Sequence, residues 1–79
     1  MTTILSTGET AALLSRAADR TVLETQLNHA VRTARFPAPP VRAGRRLWDR
    51  DSVLAAAEHF NVPTAAVSTL LDAEAEAAR

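Results

Sequence analysis

The fold is decided by the proline- and arginine-rich stretch at residues 35–49, which reads RFPAPPVRAGRRLWD. It contains three of the four prolines, one of the two glycines, the only tryptophan and four of the nine arginines. Proline ends a preceding helix, because the residue before it is pushed out of the helical region. Gly44 supplies the positive φ that a tight hairpin turn often needs. The stretch therefore predicts a helix exit, a short two-stranded ribbon with a basic tip, and the cap of a further helix.

The ribbon itself is expected to consist of two very short strands. Residues 41–42 and 47–48 are the strand candidates, and residues 43–46 connect them. Because a two-stranded ribbon is only marginally stable alone, its apolar side chains must pack on helices. Trp48 lies beside a leucine in a small domain, which favours a core anchor over a platform for stacking bases.

A first helix is predicted to begin at the motif Ser6-Thr7-Gly8-Glu9, which has the spacing of a capping box. In this motif the Ser6 hydroxyl accepts from the Glu9 amide, and the Glu9 carboxylate reaches back to the Ser6 amide. Thr7 is a competing cap one residue later. The helix is expected to end near Ser15.

A second helix is predicted over residues 20–34, capped by Asp19, whose charge suits a helix N-terminus. Pro37 would end it. Its buried stripe follows the three-to-four spacing of a helix and consists of Leu23, Leu27, Ala30, Val31 and Ala34.

Two further helices are predicted after the ribbon. Asp49 or Asp51 caps the third helix, and the break at residues 61–63 combines an asparagine, which tolerates the left-handed conformation, with a proline. Thr64 can cap the fourth helix. The expected apolar positions of the two helices are Val53, Leu54, Ala57, Phe60, Val67, Leu70 and Leu71, and Phe36 is also expected in the core.

Charge is unevenly distributed, although the net charge is zero. Residues 32–50 carry six arginines against Asp49, a net charge of +5, whereas residues 1–31 carry −1 and residues 51–79 carry −4. Such polarity orients a molecule on a polyanion. A basic ribbon between helices suits a phosphate backbone, so the pattern favours a nucleic-acid partner. The simpler alternative is a solvated middle segment that the acidic tail neutralises.

The composition argues against several other classes of protein. The 79 residues suit one small domain, and the absence of cysteine excludes disulfides and thiolate metal sites. His29 and His59, expected at the surface, are too few for a zinc site made of protein ligands alone. Asp49 and Asp51 fit helix caps better than acid–base catalysis, and two glycines cannot form a phosphate-cradling loop. We expect neither an enzyme nor a bound cofactor.

No apolar run approaches the length of a membrane-spanning helix, and the N-terminus lacks the pattern of a secretion signal. A soluble, cytoplasmic protein without a membrane partner is therefore expected.

Four segments carry a resemblance to a known family. They are residues 5–14 (LSTGETAALL), Arg35-Phe36-Pro37-x-Pro39, Val41-x-x-Gly44-x-Arg46-x-Trp48, and Asp51-Ser52-Val53. In this order they resemble the small winged helix-turn-helix proteins of the MerR-like superfamily, in particular the AlpA and excisionase (Xis) branch. The resemblance covers about residues 4–60.

The resemblance implies a mainly α, winged helix-turn-helix domain over residues 1–79, with three to four helices and a short two-stranded hairpin as the wing. Residues 61–79 would form a C-terminal helix for packing or dimerisation. A recognition helix would enter the major groove of double-stranded DNA, and the wing would contact the backbone or minor groove. The implied role is a transcriptional regulator or an excisionase-type architectural factor, acting as a homodimer or a cooperative array. A DNA-recognition part of a phage packaging machine is a further option.

The residues expected to contact DNA fall into two groups. On the recognition helix, where Arg suits guanine and Asn suits adenine, they are Arg20, Thr21, Glu24, Thr25, Asn28 and Arg32. On the wing and its flank, where arginine favours phosphates and narrow minor grooves, they are Arg35, Arg42, Arg45 and Arg46. The alternatives are an ordinary solvated helix face and a solubilising hairpin.

The spacing departs from the family at the second helix. Thr21-Val22 lies fifteen residues before Phe36, farther than the Thr-Val start of the family's recognition helix lies from its Phe-Pro. Either the helix is at least a turn longer and also serves dimerisation, or recognition begins further along the chain.

Two other interpretations stay open. Residues 57–71 resemble a general helix-turn-helix pattern, in which Thr64, Ala65 and Ser68 would face the groove, although a packing or dimer surface explains the same pattern. The whole chain could instead be a protein-interaction or dimerisation module of a phage or mobile-element assembly, without direct DNA readout.

Overall fold

The chain forms four helices and one two-stranded sheet within residues 4–36 and 39–77, the part that the computed structural model describes. Their order is α1 (Thr7–Ala18), α2 (Glu24–Arg32), β1 (Val41–Arg42), β2 (Arg45–Arg46), α3 (Arg50–His59) and α4 (Thr64–Ala77). The two strands pair antiparallel. The predicted mainly α fold with a short hairpin is therefore confirmed.

The predicted capping box begins α1. The Ser6 Oγ accepts from the Glu9 N–H at 3.1 Å, and the Glu9 carboxylate accepts from the Ser6 N–H at 2.9 Å. The hydrogen bond from the Ser6 backbone is the main cause that lowers the pKa of Glu9. The helix continues to Ala18, past the predicted end at Ser15, because residues 15–18 contain no helix breaker.

Asp19 ends α1 and does not cap the second helix as predicted. Its φ is 53°, in the left-handed region, and its N–H donates to the carbonyl of Ser15. Aspartate tolerates this conformation better than most residues. Asp19 therefore marks the end of α1, at the position where the second helix was predicted to start.

The predicted helix over residues 20–34 is shortened at both ends. The Ser15 hydroxyl accepts from the Val22 N–H at 2.8 Å and donates its own proton to the Ala11 carbonyl at 2.8 Å. The bond from its N–H to Ser15 holds Val22 outside a helix, and α2 begins at Glu24. At the other end Ala34 has a φ of 55°, and Pro37, the predicted terminator, lies outside the described residues.

The buried stripe of α2 is narrower than predicted. Leu27 and Ala30 are buried and Val31 is half-buried, as expected of the core face. Leu23 and Ala34 are exposed instead, because both lie outside the helix.

The hairpin turn is two residues shorter than predicted. Val41 pairs with Arg46 and Arg42 with Arg45, so the turn contains only Ala43 and Gly44. Both turn residues have positive φ, 54° and 76°, which is the geometry of a tight two-residue hairpin turn. The second strand is therefore 45–46 rather than 47–48, and the two arginines lie in the strand rather than at the tip.

Trp48 is the anchor that joins the hairpin to the helices. It is fully buried, and its backbone exchanges two hydrogen bonds with Leu5, of 2.9 and 3.0 Å. The indole N–H donates to the Thr7 hydroxyl at 3.0 Å, and the ring lies 6.1 Å from that of Phe36. The predicted core role of Trp48 and Phe36 is confirmed, whereas Phe60 is only half-buried.

The C-terminal helices follow the predicted boundaries closely. Asp49 caps α3 by accepting from the Ser52 N–H at 2.9 Å, a bond that lowers the pKa of its carboxyl. Asn61, with a φ of 60°, ends the turn after α3. The Pro63 carbonyl accepts the first bond of α4, so Thr64 is a helical residue and not the cap.

Helix α4 packs against α1 and α3 and shares their core. The buried apolar side chains of this core include Leu14, Leu27, Trp48, Val53, Ala56, Ala57, Val67 and Leu71. The last helix therefore packs on the core of its own chain, which is one of the two roles predicted for it.

We expect Thr7→Val to lower the free energy of unfolding by about 1–3 kcal/mol, because it leaves the buried indole N–H of Trp48 without an acceptor. Thr7→Ser keeps the hydroxyl and should stay within about 0.5 kcal/mol of wild type. Urea unfolding followed by tryptophan fluorescence measures both. Equal stability of Thr7→Val and wild type would contradict the anchoring role of this bond.

Candidate nucleic-acid interface

Helix α2 presents one side to solvent along its whole length. Leu27 and Ala30 face the core. At about 100° per residue, the opposite side carries Thr25, His29 and Arg32, and all three are exposed. The predicted recognition residues Thr25 and Arg32 therefore lie together on one accessible face.

Arg20 and Thr21 do not belong to that helix face, contrary to the prediction. Both precede α2, and the Arg20 guanidinium donates to the backbone carbonyl of Phe60. Because α2 has only nine residues, the considered possibility of a recognition helix at least one turn longer than that of the family is wrong. His29 was missed, although its spacing of four residues from Thr25 places it on the same face.

Asn28 connects α2 to the hairpin. Its side-chain oxygen accepts a hydrogen bond from the Arg46 guanidinium. A bidentate contact to adenine needs both the oxygen and the amide nitrogen of asparagine. In this arrangement Asn28 positions the hairpin against the helix instead of presenting a free amide.

The hairpin presents arginines on adjacent strands. Arg42 and Arg45 are directly cross-strand, and both are exposed. Like charges placed opposite each other on a hairpin destabilise it. A bound anion between the two side chains would remove this repulsion.

The acidic tail pairs with only one of the six arginines of the middle segment, residues 32–50, among the described side chains. Within residues 4–36 and 39–74, the ion pairs are Arg16–Glu74 at 3.5 Å and Arg50–Asp72 at 2.9 Å. In this part of the chain no ion pair involves the other five arginines of the middle segment, which are Arg32, Arg35, Arg42, Arg45 and Arg46. Among the described side chains, the alternative of a middle segment neutralised by the tail therefore holds for Arg50 and not for the other five arginines.

A cavity of about 770 Å³ separates the hairpin from the first turns of α1 and α2. It has acidic and basic walls, formed by Glu9 and Glu24 on one side and Arg45 and Arg46 on the other. Glu24 thus faces the hairpin side of α2 rather than the exposed side that carries Thr25.

The second helix-turn-helix candidate at residues 57–71 is largely a packing unit. Ala57 is fully buried between the helices, as are Val67 and nearly all of Leu71. Ser68 is half-buried and accepts a hydrogen bond from Arg50. Thr64 and Ala65 are exposed.

Comparisons with protein-family models, with curated proteins and with solved structures found no match to this chain. Among the described residues, no group of three or more His, Cys, Asp or Glu side chains has the arrangement of a metal site. No helix in that part of the chain is both long enough and apolar enough to cross a membrane.

We expect Ala43→Asn to stabilise the hairpin, because alanine pays about 1–2 kcal/mol for its left-handed conformation whereas Asn-Gly is a preferred two-residue turn. Amide hydrogen exchange at residues 42–46 and the melting temperature measure the effect. Faster exchange in this variant than in wild type would contradict the turn geometry. Ala12→Asn, at an exposed helical position, is the control and should destabilise slightly.

Proposed function

We propose that the protein binds double-stranded DNA, with α2 in the major groove and the 41–46 hairpin on the neighbouring backbone or minor groove. The observation that carries this proposal is the group of five arginines at residues 32–46 that lack an ion-pair partner among the described side chains. They lie on and beside an exposed helix. Unneutralised arginines at such positions are the electrostatic footprint of a phosphate-binding surface.

The dimensions of α2 suit this role. With its side chains a helix is about 10–12 Å in diameter, and the major groove is about 12 Å wide, so a helix such as α2 can lie in it. Arg32 would then face the base edges, where its guanidinium can bind guanine in a bidentate manner, and Thr25 and His29 lie on the same exposed side. Arg35, which follows the helix, would contact the backbone.

The hairpin supports the same orientation. The Arg46–Asn28 hydrogen bond holds the hairpin beside α2, so that both elements could contact one duplex. Arg42 and Arg45 repel each other across the strands, and a phosphate between them would turn this cost into attraction. The pair would act as a clamp on one strand of the duplex.

The order of two helices, a hairpin and a third helix agrees with a winged helix-turn-helix of the AlpA and excisionase type, which we propose as the architecture. The role would be transcriptional regulation or architectural control of excision. One domain of this size covers little DNA, so we further propose binding as a homodimer or a cooperative array.

A protein-interaction module is the second candidate, and one observation favours it. Ile4, Leu23 and Val41 are large apolar side chains that remain 47%, 53% and 63% exposed, and Ile4 and Val41 line the cavity between the hairpin and the helices. Such residues are typical of contact surfaces when they are grouped. A stable oligomer that ignores DNA would select this candidate.

Fluorescence anisotropy with labelled duplex DNA across a salt series tests the DNA proposal. We expect log K to fall linearly with log salt, with a slope of roughly −3 to −6 for about four to six phosphate contacts. Arg42→Ala/Arg45→Ala should reduce the magnitude of the slope by about one to two units.

The matched control is Arg16→Ala/Arg50→Ala. It also removes two positive charges, but from arginines that form ion pairs with α4. Its slope should equal that of wild type. If both double variants lose affinity equally, net charge rather than the hairpin governs binding. Absence of binding at low salt would reject the proposal and favour the interaction module.

A further inference from the structure

A second surface cavity, of about 470 Å³, lies between α2 and the end of α3. Its walls include Thr25, Gln26 and His29 from α2, Arg35 from the segment after it, and His59 and Phe60 from the end of α3. The two histidines are thirty positions apart, so no local pattern predicts that they share a site.

Every titratable side chain that lines this cavity is basic. They are His29, Arg35 and His59, and no carboxylate contributes to the walls. Arg20 adds a further cation at the edge, because its guanidinium binds the Phe60 carbonyl. Both histidines lie in the last turn of a helix, where the helix dipole favours a positively charged side chain. The cavity is therefore suited to an anionic group.

The ring of His59 is held by aromatic neighbours. Its centroid lies 4.8 Å from that of Phe60 in an edge-to-face arrangement, and 5.6 Å from that of Phe36. A ring fixed in this way needs little ordering when a ligand binds, which lowers the entropic cost of binding.

The cavity and the hairpin lie on opposite flanks of α2. Asn28, which follows the core residue Leu27, contacts the hairpin, whereas Gln26, which precedes it, lines the cavity. At about 100° per residue these two positions point roughly 160° apart. A helix in the major groove is flanked by two phosphate backbones, so each flank of α2 would meet one of them.

We propose that this cavity binds a phosphate group, supplied by the DNA strand on the side of α2 away from the hairpin. The proposal rests on the proposed function. The donors come from several directions, namely the Arg35 guanidinium, the two imidazoles, the Thr25 hydroxyl and the Gln26 amide. A phosphate offers more acceptor oxygens and more charge than a carboxylate, so it satisfies such a set better.

The first arm of the test measures duplex DNA binding by anisotropy across a salt series. Arg35→Gln should reduce the magnitude of the salt slope by about one unit, and His29→Gln/His59→Gln should weaken the affinity for the duplex. The control Arg16→Gln also removes one positive charge, but from a residue outside the cavity, and should leave the salt slope unchanged. If Arg35→Gln and the histidine variant both match wild type while Arg42→Ala/Arg45→Ala lowers the slope, the cavity proposal is wrong and the DNA proposal stands.

The second arm uses inorganic phosphate at constant ionic strength and follows the imidazole C–H resonances of His29 and His59 by NMR. We expect both to shift saturably in the millimolar range, and Arg35→Gln to weaken the effect. Shifts with phosphate but no binding of duplex DNA would support the phosphate site while rejecting DNA as its source and the proposed function with it. No shift, or an equal shift with an oligo-glutamate peptide, would overturn the phosphate assignment.

Discussion

The attachment of Trp48 to the start of α1 is the interaction on which the rest of the structure depends. A four-residue sheet closed by a two-residue turn cannot hold itself in water. The backbone pairing with Leu5 and the indole bond to Thr7 fix the end of the hairpin on the helical core. Because Trp48 is followed directly by Asp49, the cap of α3, the same anchor also sets where the third helix begins.

The second constraint is the separation of charge between the two sides of the molecule. The acids of α4 are positioned by packing against α1 and α3, so Glu74 and Asp72 pair with Arg16 and Arg50. Among the described side chains, the arginines of residues 32–46 form no ion pair. A zero net charge therefore conceals a basic surface, and the proposed DNA contact and the phosphate cavity are two parts of that surface.

Much of the fold could be predicted from helix caps and breaks, which depend on neighbouring residues. Contacts between residues distant in the sequence could not be predicted. The capping box at Ser6, the cap at Asp49 and the break at Asn61 each depend on neighbours within a few residues. The start of α2 depends on the Ser15 hydroxyl bonding to Val22 seven residues away, which no local rule anticipates. The hairpin register depends on Ala43 adopting a conformation that alanine rarely adopts, and the histidine cavity forms only when α2 meets the end of α3.

The most direct test of the account maps the bound surface residue by residue. The backbone amide resonances of the ¹⁵N-labelled protein would be followed by NMR as a short duplex is added at low salt. The account predicts that the largest shifts occur at Thr25, His29 and Arg32 of α2 and at residues 42–46 of the hairpin, with little change along α4. Shifts confined to the α3–α4 side, or no shifts at any duplex concentration, would contradict the claim that α2 and the hairpin form a DNA-binding surface.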